Sequence, residues 1–355
     1  MLGWRLYKLD RSSTRFPQEL NELLHDEKWV EQVLDLPGGE LVVLVDYLDS
    51  TLDGLDRTGT SFRECLHALQ KVCSSRMILP SVYEVLTTLS SNAGRTLAYG
   101  RLSNIYGGSL DGTDVAVKRL RIPTTGDRAT VKQALCREAV VWKHVDHPNI
   151  VPFKGVTLES LQLVSEWMPG GELGEYIRNN QGVDLVNLLL GIAKGLDYLH
   201  SCDVIYGDLR GANILVDATG NARIVDFGHA TIARDTIPPV SNTNGQVSTP
   251  RYPAPEILGD GGRCSKESDV FSFGMVMVEV FTGKIPFSNL STAAAITSIT
   301  TGDRPKRPTH PSLTDHLWAL TQHCWREKPQ DRPHMNELIK RLSSNDHYTI
   351  SRHGP

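Results

Sequence analysis

The chain has 355 residues, enough for two domains or for one large domain with an appendage. Hydrophobic residues make up 40% and charged residues 22%, the composition of an ordinary globular protein. The net charge of -4 arises within the first 95 residues, which hold 14 acidic and 10 basic side chains, and it gives no electrostatic basis for a nucleic-acid or anionic-membrane partner.

In chain order, the N-terminal "MLGWRLYKLDRSSTRF" has charges breaking its apolar residues, unlike a signal peptide. Three amphipathic helices are predicted next. "PQELNELLHDEKWVEQVLDL" places Leu20, Leu23, Leu24, Val30, Val33 and Leu34 at helical spacing, and Pro37-Gly38-Gly39 should end it. "ELVVLVDYLDSTLDGLD" carries a stripe of Leu41, Leu44, Val45, Leu48, Leu52 and Leu55. Its apolar run is interrupted by Asp46 and falls short of the roughly 18 residues of a membrane span. "TSFRECLHALQKVCSS" opens on a capping-box pattern, Ser61 to Glu64, and shows Phe62, Leu66, Leu69 and Val72 on one face. The three stripes must bury against one another or against a partner. Residues 1–75 are therefore expected to form a helical interaction module with an unidentified protein partner. No cluster of His, Cys or carboxylate residues in them has a catalytic pattern.

Residues 76–93 are expected to be a linker. From 94 the character changes: "TLAYGRLSNIYGGSLDGTDVAVKRLR" is glycine-rich and β-branched with a "DG" turn, which predicts antiparallel strands. A helix is predicted over 129–145, then short strands in "VPFKGVTLE" and "LQLVSEWM". Helices dominate from Asp184, including "DLVNLLLGIAKGLDYLHSC" and "SDVFSFGMVMVEVFTG". A strand-rich part before a helix-rich part points to α+β architecture in two lobes. The six cysteines are scattered, with no C-x-x-C pair, so free thiols in a reducing compartment are expected and zinc is not. The expected location is cytoplasmic.

The informative segment is "VIYGDLRGANILVD", Val204 to Asp217. It sets Asp208, Arg210 and Asn213 on one short loop between two apolar runs. Upstream, "VAVKRL" puts Lys118 in an alternating strand and "LCREAVVW" puts Glu138 on a helix; downstream, "RIVDFGHA" puts Asp226 just after a short strand. "TPRYPAPEIL", "SDVFSFG" and "CWREKPQDRP" follow. In this order the pieces resemble a eukaryotic protein kinase over residues 94–343, and most closely the tyrosine-kinase-like group as expanded in basidiomycete fungi. Residues 344–355 would be a C-terminal tail.

The resemblance implies the two-lobed protein kinase fold, with a β-rich N-lobe and a helical C-lobe, preceded here by the N-terminal helical bundle. It implies ATP and Mg²⁺ as cofactors and a protein substrate. Phosphoryl transfer needs positioning and charge neutralisation more than covalent chemistry. Asp208 would orient the substrate hydroxyl, and Arg210, where the family usually has Lys, would neutralise developing charge. Lys118 would reach the α- and β-phosphates, aimed by an ion pair with Glu138. Asn213 and Asp226 would hold the metal ions. Ala98, Gly100, Ser103, Ile105, Ala116, Glu166 and Met168 would surround the nucleotide, with Ser165 as a small gatekeeper. Glu256 would pair with Arg332, and Asp269 would hold the catalytic loop by its backbone.

Two departures stand out. Anchored on Ile105, the glycine-rich loop is "AYGRLSNI": only Gly100 survives, with Ala98 and Ser103 at the outer glycine positions. Tyr206 and Gly207 stand where the family has His and Arg. Tyrosine can fill a packing position against Phe227. Loss of the arginine removes the usual receptor for a phosphate on the activation segment. Thr249 points to serine/threonine specificity and Arg210 toward tyrosine, so a Ser/Thr kinase is favoured with dual specificity left open. The alternative is a pseudokinase scaffold that binds nucleotide or partners without transfer.

Overall fold

The computed structural model describes residues 15–24, 27–85, 90–99, 103–124, 126–233, 250–259 and 262–344. The chain forms two compact units. The first takes the residues up to Asp146 together with Pro152–Trp167, and the second takes His147–Val151 and everything from Met168.

Among the described residues, the first unit opens with four helices, α1 (Phe16–Leu24), α2 (Glu27–Leu34), α3 (Gly38–Leu52) and α4 (Thr60–Arg76). The predicted stripes are the buried ones: Leu20, Leu23 and Leu24 on α1, Val33 on α2, Leu41, Leu44, Val45, Leu48 and Leu52 on α3, and Phe62, Leu66, Leu69 and Val72 on α4. Trp29, fully buried on α2, belongs with them. Two local signals act differently from expectation. The preceding helix ends at Leu34, before Pro37 as expected, but the break does not extend over Gly38-Gly39: Pro37 is the N-cap of α3, with φ -57° preset for helix entry, and both glycines lie inside that helix. The Ser61–Glu64 capping box does not form, because α4 starts at Thr60 with Gly59 as its N-cap and Ser61 is already inside the helix.

A five-stranded antiparallel sheet follows, in the order β1-β2-β3-β5-β4, from β1 (Ser90–Tyr99), β2 (Ser103–Leu110), β3 (Thr113–Leu120), β4 (Phe153–Thr157) and β5 (Gln162–Glu166). The β2–β3 turn is the expected "DG": Asp111 and Gly112 both take positive φ, 50° and 80°, as a two-residue hairpin of this type requires. Helix α5 (Arg128–His144) lies between β3 and β4 in the chain. The segment expected to be a linker is packed as far as Val85. Ser81–Tyr83 form a 3₁₀ turn, Tyr83 is buried, and the Val85 N–H donates to the Val156 carbonyl at 2.8 Å. The four N-terminal helices thus belong to the same unit as the sheet.

The second unit is mainly helical. It runs through β6 (Gly171–Glu172), α6 (Leu173–Asn179), α7 (Leu185–Ser201), β7 (Val204–Ile205), β8 (Ile214–Val216), β9 (Ala222–Ile224), β10 (Thr231–Ile232), α8 (Pro255–Leu258), α9 (Lys266–Thr282), α10 (Thr292–Thr300), α11 (Asp315–Cys324) and α12 (Met335–Leu342). Its centre is α9, buried from Ser268 to Phe281. The helix starts with a reciprocal cap between Ser265 and Ser268 and stops at Gly283, whose φ of 64° suits glycine. The α+β class holds. No described helix is long and apolar enough to cross a membrane.

Candidate active site

In the first unit, β3 alternates: Val115 and Val117 point into the core, which leaves Lys118 on the opposite face of the strand. Lys118 lies opposite Ile105 on β2 and Leu163 on β5. Its Nζ is 2.8 Å from Oε1 of Glu138 on α5, with side-chain exposures of 14% and 4%. A glutamate this buried requires a partner, and the ammonium supplies it. Ala116 faces Ser165 across β3 and β5, and Glu166 follows, ion-paired with Lys154 at 3.3 Å. Ser103 and Ile105 lie on β2, both half-buried. Ala98 lies on β1 opposite Ile105 by backbone register, while Gly100 falls outside the described residues. Met168 begins the second unit. Its carbonyl accepts the Gly171 N–H at 3.1 Å.

In the second unit, the segment after β7 is held from beneath by α9. Asp269 Oδ2 accepts the Tyr206 N–H at 2.9 Å and lies 2.9 Å from His200 Nε2; Asp269 Oδ1 accepts the Gly207 N–H at 2.8 Å. Glu279, nearly three turns further along the same helix, accepts the Gly211 N–H at 3.0 Å and the Tyr252 hydroxyl at 2.9 Å. A Cβ at position 211 would displace the Glu279 carboxylate from its present seat, because it would collide with Oε1. Tyr206 is fully buried, with its ring edge-on to Phe227 at 5.7 Å and its hydroxyl donating to the Val225 carbonyl. Gly207 has φ 79°, and a Cβ there would lie 3.0 Å from the His229 carbonyl.

On this base sits a compact polar cluster. Asn213 Nδ2 donates to the Asp208 carbonyl at 2.9 Å and to Asp208 Oδ2 at 2.8 Å. Arg210 Nε donates to the same Oδ2 at 3.3 Å. Among the described residues no hydrogen bond reaches Asp208 Oδ1. Burial pushes the Asp208 carboxyl above the usual aspartate range, against the pull of Arg210 and His229. Burial works against the Arg210 cation, but Asp208 and Asp226 outweigh it and hold the guanidinium protonated. Asp226 takes φ 67° after β9, and the Gly228 N–H reaches its Oδ1 at 3.3 Å. The expected tie between Glu256 and Arg332 is a two-pronged pair, 2.6 and 3.0 Å.

Lys118 and Glu138 are thus brought together in one unit, and Asp208, Arg210 and Asn213 in the other, with Asp226 close enough to Asp208 and Arg210 to act on their charges. Thr249 lies outside the described residues. Glu279 and Tyr252 were not singled out from sequence. The signal was present in Glu279, a lone carboxylate inside the apolar run "MVMVEVF". Among the described residues no three His, Cys, Asp or Glu side chains form a metal-binding group on their own.

This arrangement agrees with the comparisons to known proteins. Residues 92–342 match the family described as protein tyrosine and serine/threonine kinase. Serine/threonine-protein kinase STY46 of Arabidopsis thaliana is 31% identical over 258 residues, covering 70% of this chain and 43% of that protein. Dual specificity protein kinase pyk3 of Dictyostelium discoideum is 31% identical over 252 residues, covering 69% of this chain and 18% of that protein. The chain spans less than half the length of either relative. It belongs to the protein kinase family, and helices α1 to α4 lie outside the matched region.

Proposed function

We propose that this chain is an active, Mg²⁺- and ATP-dependent protein kinase that phosphorylates serine and threonine hydroxyls in proteins. The observation that carries this reading is the ion pair between Lys118 and Glu138 at 2.8 Å, because it leaves the Lys118 ammonium aimed by a buried carboxylate. The donor set fits a magnesium nucleotide. Asp226 offers a carboxylate, and Asn213, with its amide nitrogen committed to Asp208, offers its carboxamide oxygen. These are hard oxygen ligands of the kind magnesium shares with phosphate groups. Bound there, the metal would neutralise charge on the phosphates as it develops.

The remaining steps belong to the chain. Asp208 Oδ1 is the oxygen left to accept the substrate hydroxyl's proton in a hydrogen bond and to fix its line of approach. Asn213 and Arg210 hold the other oxygen and so set the carboxylate's orientation. Arg210 places a permanent cation beside the reacting centre. Met168 N–H, which has no hydrogen bond among the described residues, is the backbone donor for adenine, and Ile105 and Ala116 are the apolar contacts. Serine/threonine preference rests on Thr249 and on similarity to kinases of that specificity.

The test is transfer of labelled γ-phosphate from ATP to a generic protein acceptor, followed by phosphoamino-acid identification, with Lys118→Met as the control. The expected result is labelled serine and threonine, abolished in the control. Absence of transfer at saturating ATP and metal, with nucleotide still bound, would establish a scaffold instead. Label confined to tyrosine would overturn the specificity alone.

A further inference from the structure

Helix α5 carries Glu138, and its burial is not that of a surface helix. Leu135, Cys136, Ala139, Val140, Val141, Trp142 and His144 are all buried along with Glu138, so apolar or partnered groups surround the helix on nearly every side. A helix hydrophobic all round needs cover on more than its sheet-facing side. Here the cover comes from the N-terminal helices of the same chain. Gln70 on α4 donates to the Arg137 carbonyl at 3.4 Å, next to Glu138. Arg57 donates to the His144 carbonyl at 3.3 Å, satisfying an otherwise open carbonyl at the helix end. Phe62 stands edge-on to the His144 ring at 6.4 Å.

At the C-terminal end of α5 lies a buried polar triangle that no phosphoryl-transfer role has absorbed. The Tyr83 hydroxyl donates to Asp49 Oδ1 at 2.6 Å, His144 Nε2 lies 2.8 Å from the same oxygen, and Tyr83 Oη and His144 Nε2 are 3.0 Å apart. All three residues are at most 5% exposed. They come from three elements: α3, the 3₁₀ turn before the sheet, and α5. Tyr83 also packs edge-on against Phe153 of β4 at 5.9 Å, and Phe153 packs against Trp142 of α5 at 5.7 Å. A buried polar group that loses its partner costs far more than an exposed one, so the triangle specifies a single seat for the end of α5.

We infer that helices α1 to α4 are a built-in clamp that seats α5, and that Asp49, Tyr83 and His144 are positioning residues that act through Glu138 on Lys118. The occupant of the apolar stripes on α3 and α4 is then this chain's own α5 and neighbouring helices, in place of the separate protein partner expected from sequence. This inference rests on the kinase reading of the same Lys118–Glu138 pair.

The test uses the full chain and the variants Tyr83→Phe, Asp49→Ala and Asp49→Asn, each also combined with Glu138→Ala. Three quantities are measured: kcat, the KM for ATP, and amide hydrogen exchange over residues 128–144. Asp49→Ala breaks every edge of the triangle except that between Tyr83 and His144, and it should lower kcat about tenfold or more with faster exchange in α5. Tyr83→Phe should do the same to a smaller degree. Asp49→Asn keeps an acceptor at Oδ1 and should remain within about threefold of wild type. A merely structural role would lower the melting temperature of all variants yet leave kcat unchanged below it. The cycle with Glu138→Ala decides the route: if the triangle acts through Glu138, Asp49→Ala costs little further once Glu138 is gone. Independent, multiplying losses would overturn the inference, as would unchanged α5 exchange in Asp49→Ala. If wild type shows no transfer at all, the kinase reading fails by itself, and the exchange measurement alone then decides whether the triangle seats α5.

Discussion

Asp269→Asn tests how the catalytic segment is held. The carboxylate is an acceptor at both oxygens: Oδ1 takes the Gly207 N–H, and Oδ2 takes the Tyr206 N–H and faces His200 Nε2. An amide of the same shape keeps only one acceptor. Whichever way it turns, its NH₂ meets a backbone N–H, donor against donor. One buried N–H therefore loses its partner, at about 1–3 kcal/mol. Asp269 is 1% exposed, so water offers little relief. The loss should appear as a lower urea midpoint with an unchanged slope. The larger effect falls on kcat. Tyr206 and Gly207 immediately precede Asp208, and a shift of about 1 Å in a reacting group costs on the order of 100-fold. The assay is urea unfolding beside steady-state transfer at saturating ATP. A variant within twofold of wild-type kcat and with the same unfolding midpoint would refute the claim that α9 positions the loop through these bonds.

Other outcomes follow from the same geometry. Gly207→Ala should lose about 1–2 kcal/mol in chemical denaturation, because φ 79° disfavours a side chain and the Cβ would press the His229 carbonyl at 3.0 Å; a loss below a few tenths would contradict the strain. Asp208 must be ionised to accept the substrate proton, and its pKa is already raised by burial, so transfer should fall on acidification at higher pH than for an ordinary aspartate. Arg210→Met removes a cation that holds that pKa down, and the acid limb of the kcat profile should move to higher pH; a shift to lower pH, or none, would contradict the assignment. Restoring Ala98→Gly and Ser103→Gly should lower the KM for ATP severalfold by removing two β-carbons from where backbone amides approach the phosphates, and an unchanged KM would show that these two positions do not limit nucleotide binding.

What the sequence disclosed was local or periodic. The stripes on α3 and α4 were legible because helical burial repeats every three to four residues, and Lys118, Glu138, Asp208, Asn213 and Asp226 because each stands at a fixed offset within a short segment. The Asp269 and Glu256 ties were legible for the same reason. Less visible was anything settled by packing between distant segments. Residues 76–93 contain few long apolar runs and look like a spacer, yet Tyr83 is buried by contacts with Asp49 and His144, 34 and 61 positions away. The break before Pro37 was legible, but not that α3 begins directly after it, because Gly38 and Gly39 are poor helix formers whose place in α3 is settled by the packing of its later residues. Trp29 was passed over because the apolar spacing was carried by leucines and valines. Glu279 was masked by the apolar helix around it, although a carboxylate in such a run already implies a buried partner.

In the proposed reaction Asp208 acts on the substrate hydroxyl while other residues hold the nucleotide. The most direct measurement is phosphoryl transfer and nucleotide affinity, determined side by side on wild type and Asp208→Asn. Wild type is expected to transfer phosphate, and the variant to lose transfer by about 100-fold or more while its nucleotide affinity stays within about threefold. Equal transfer by the two proteins, or a silent wild type that binds nucleotide as well as the variant does, would contradict it.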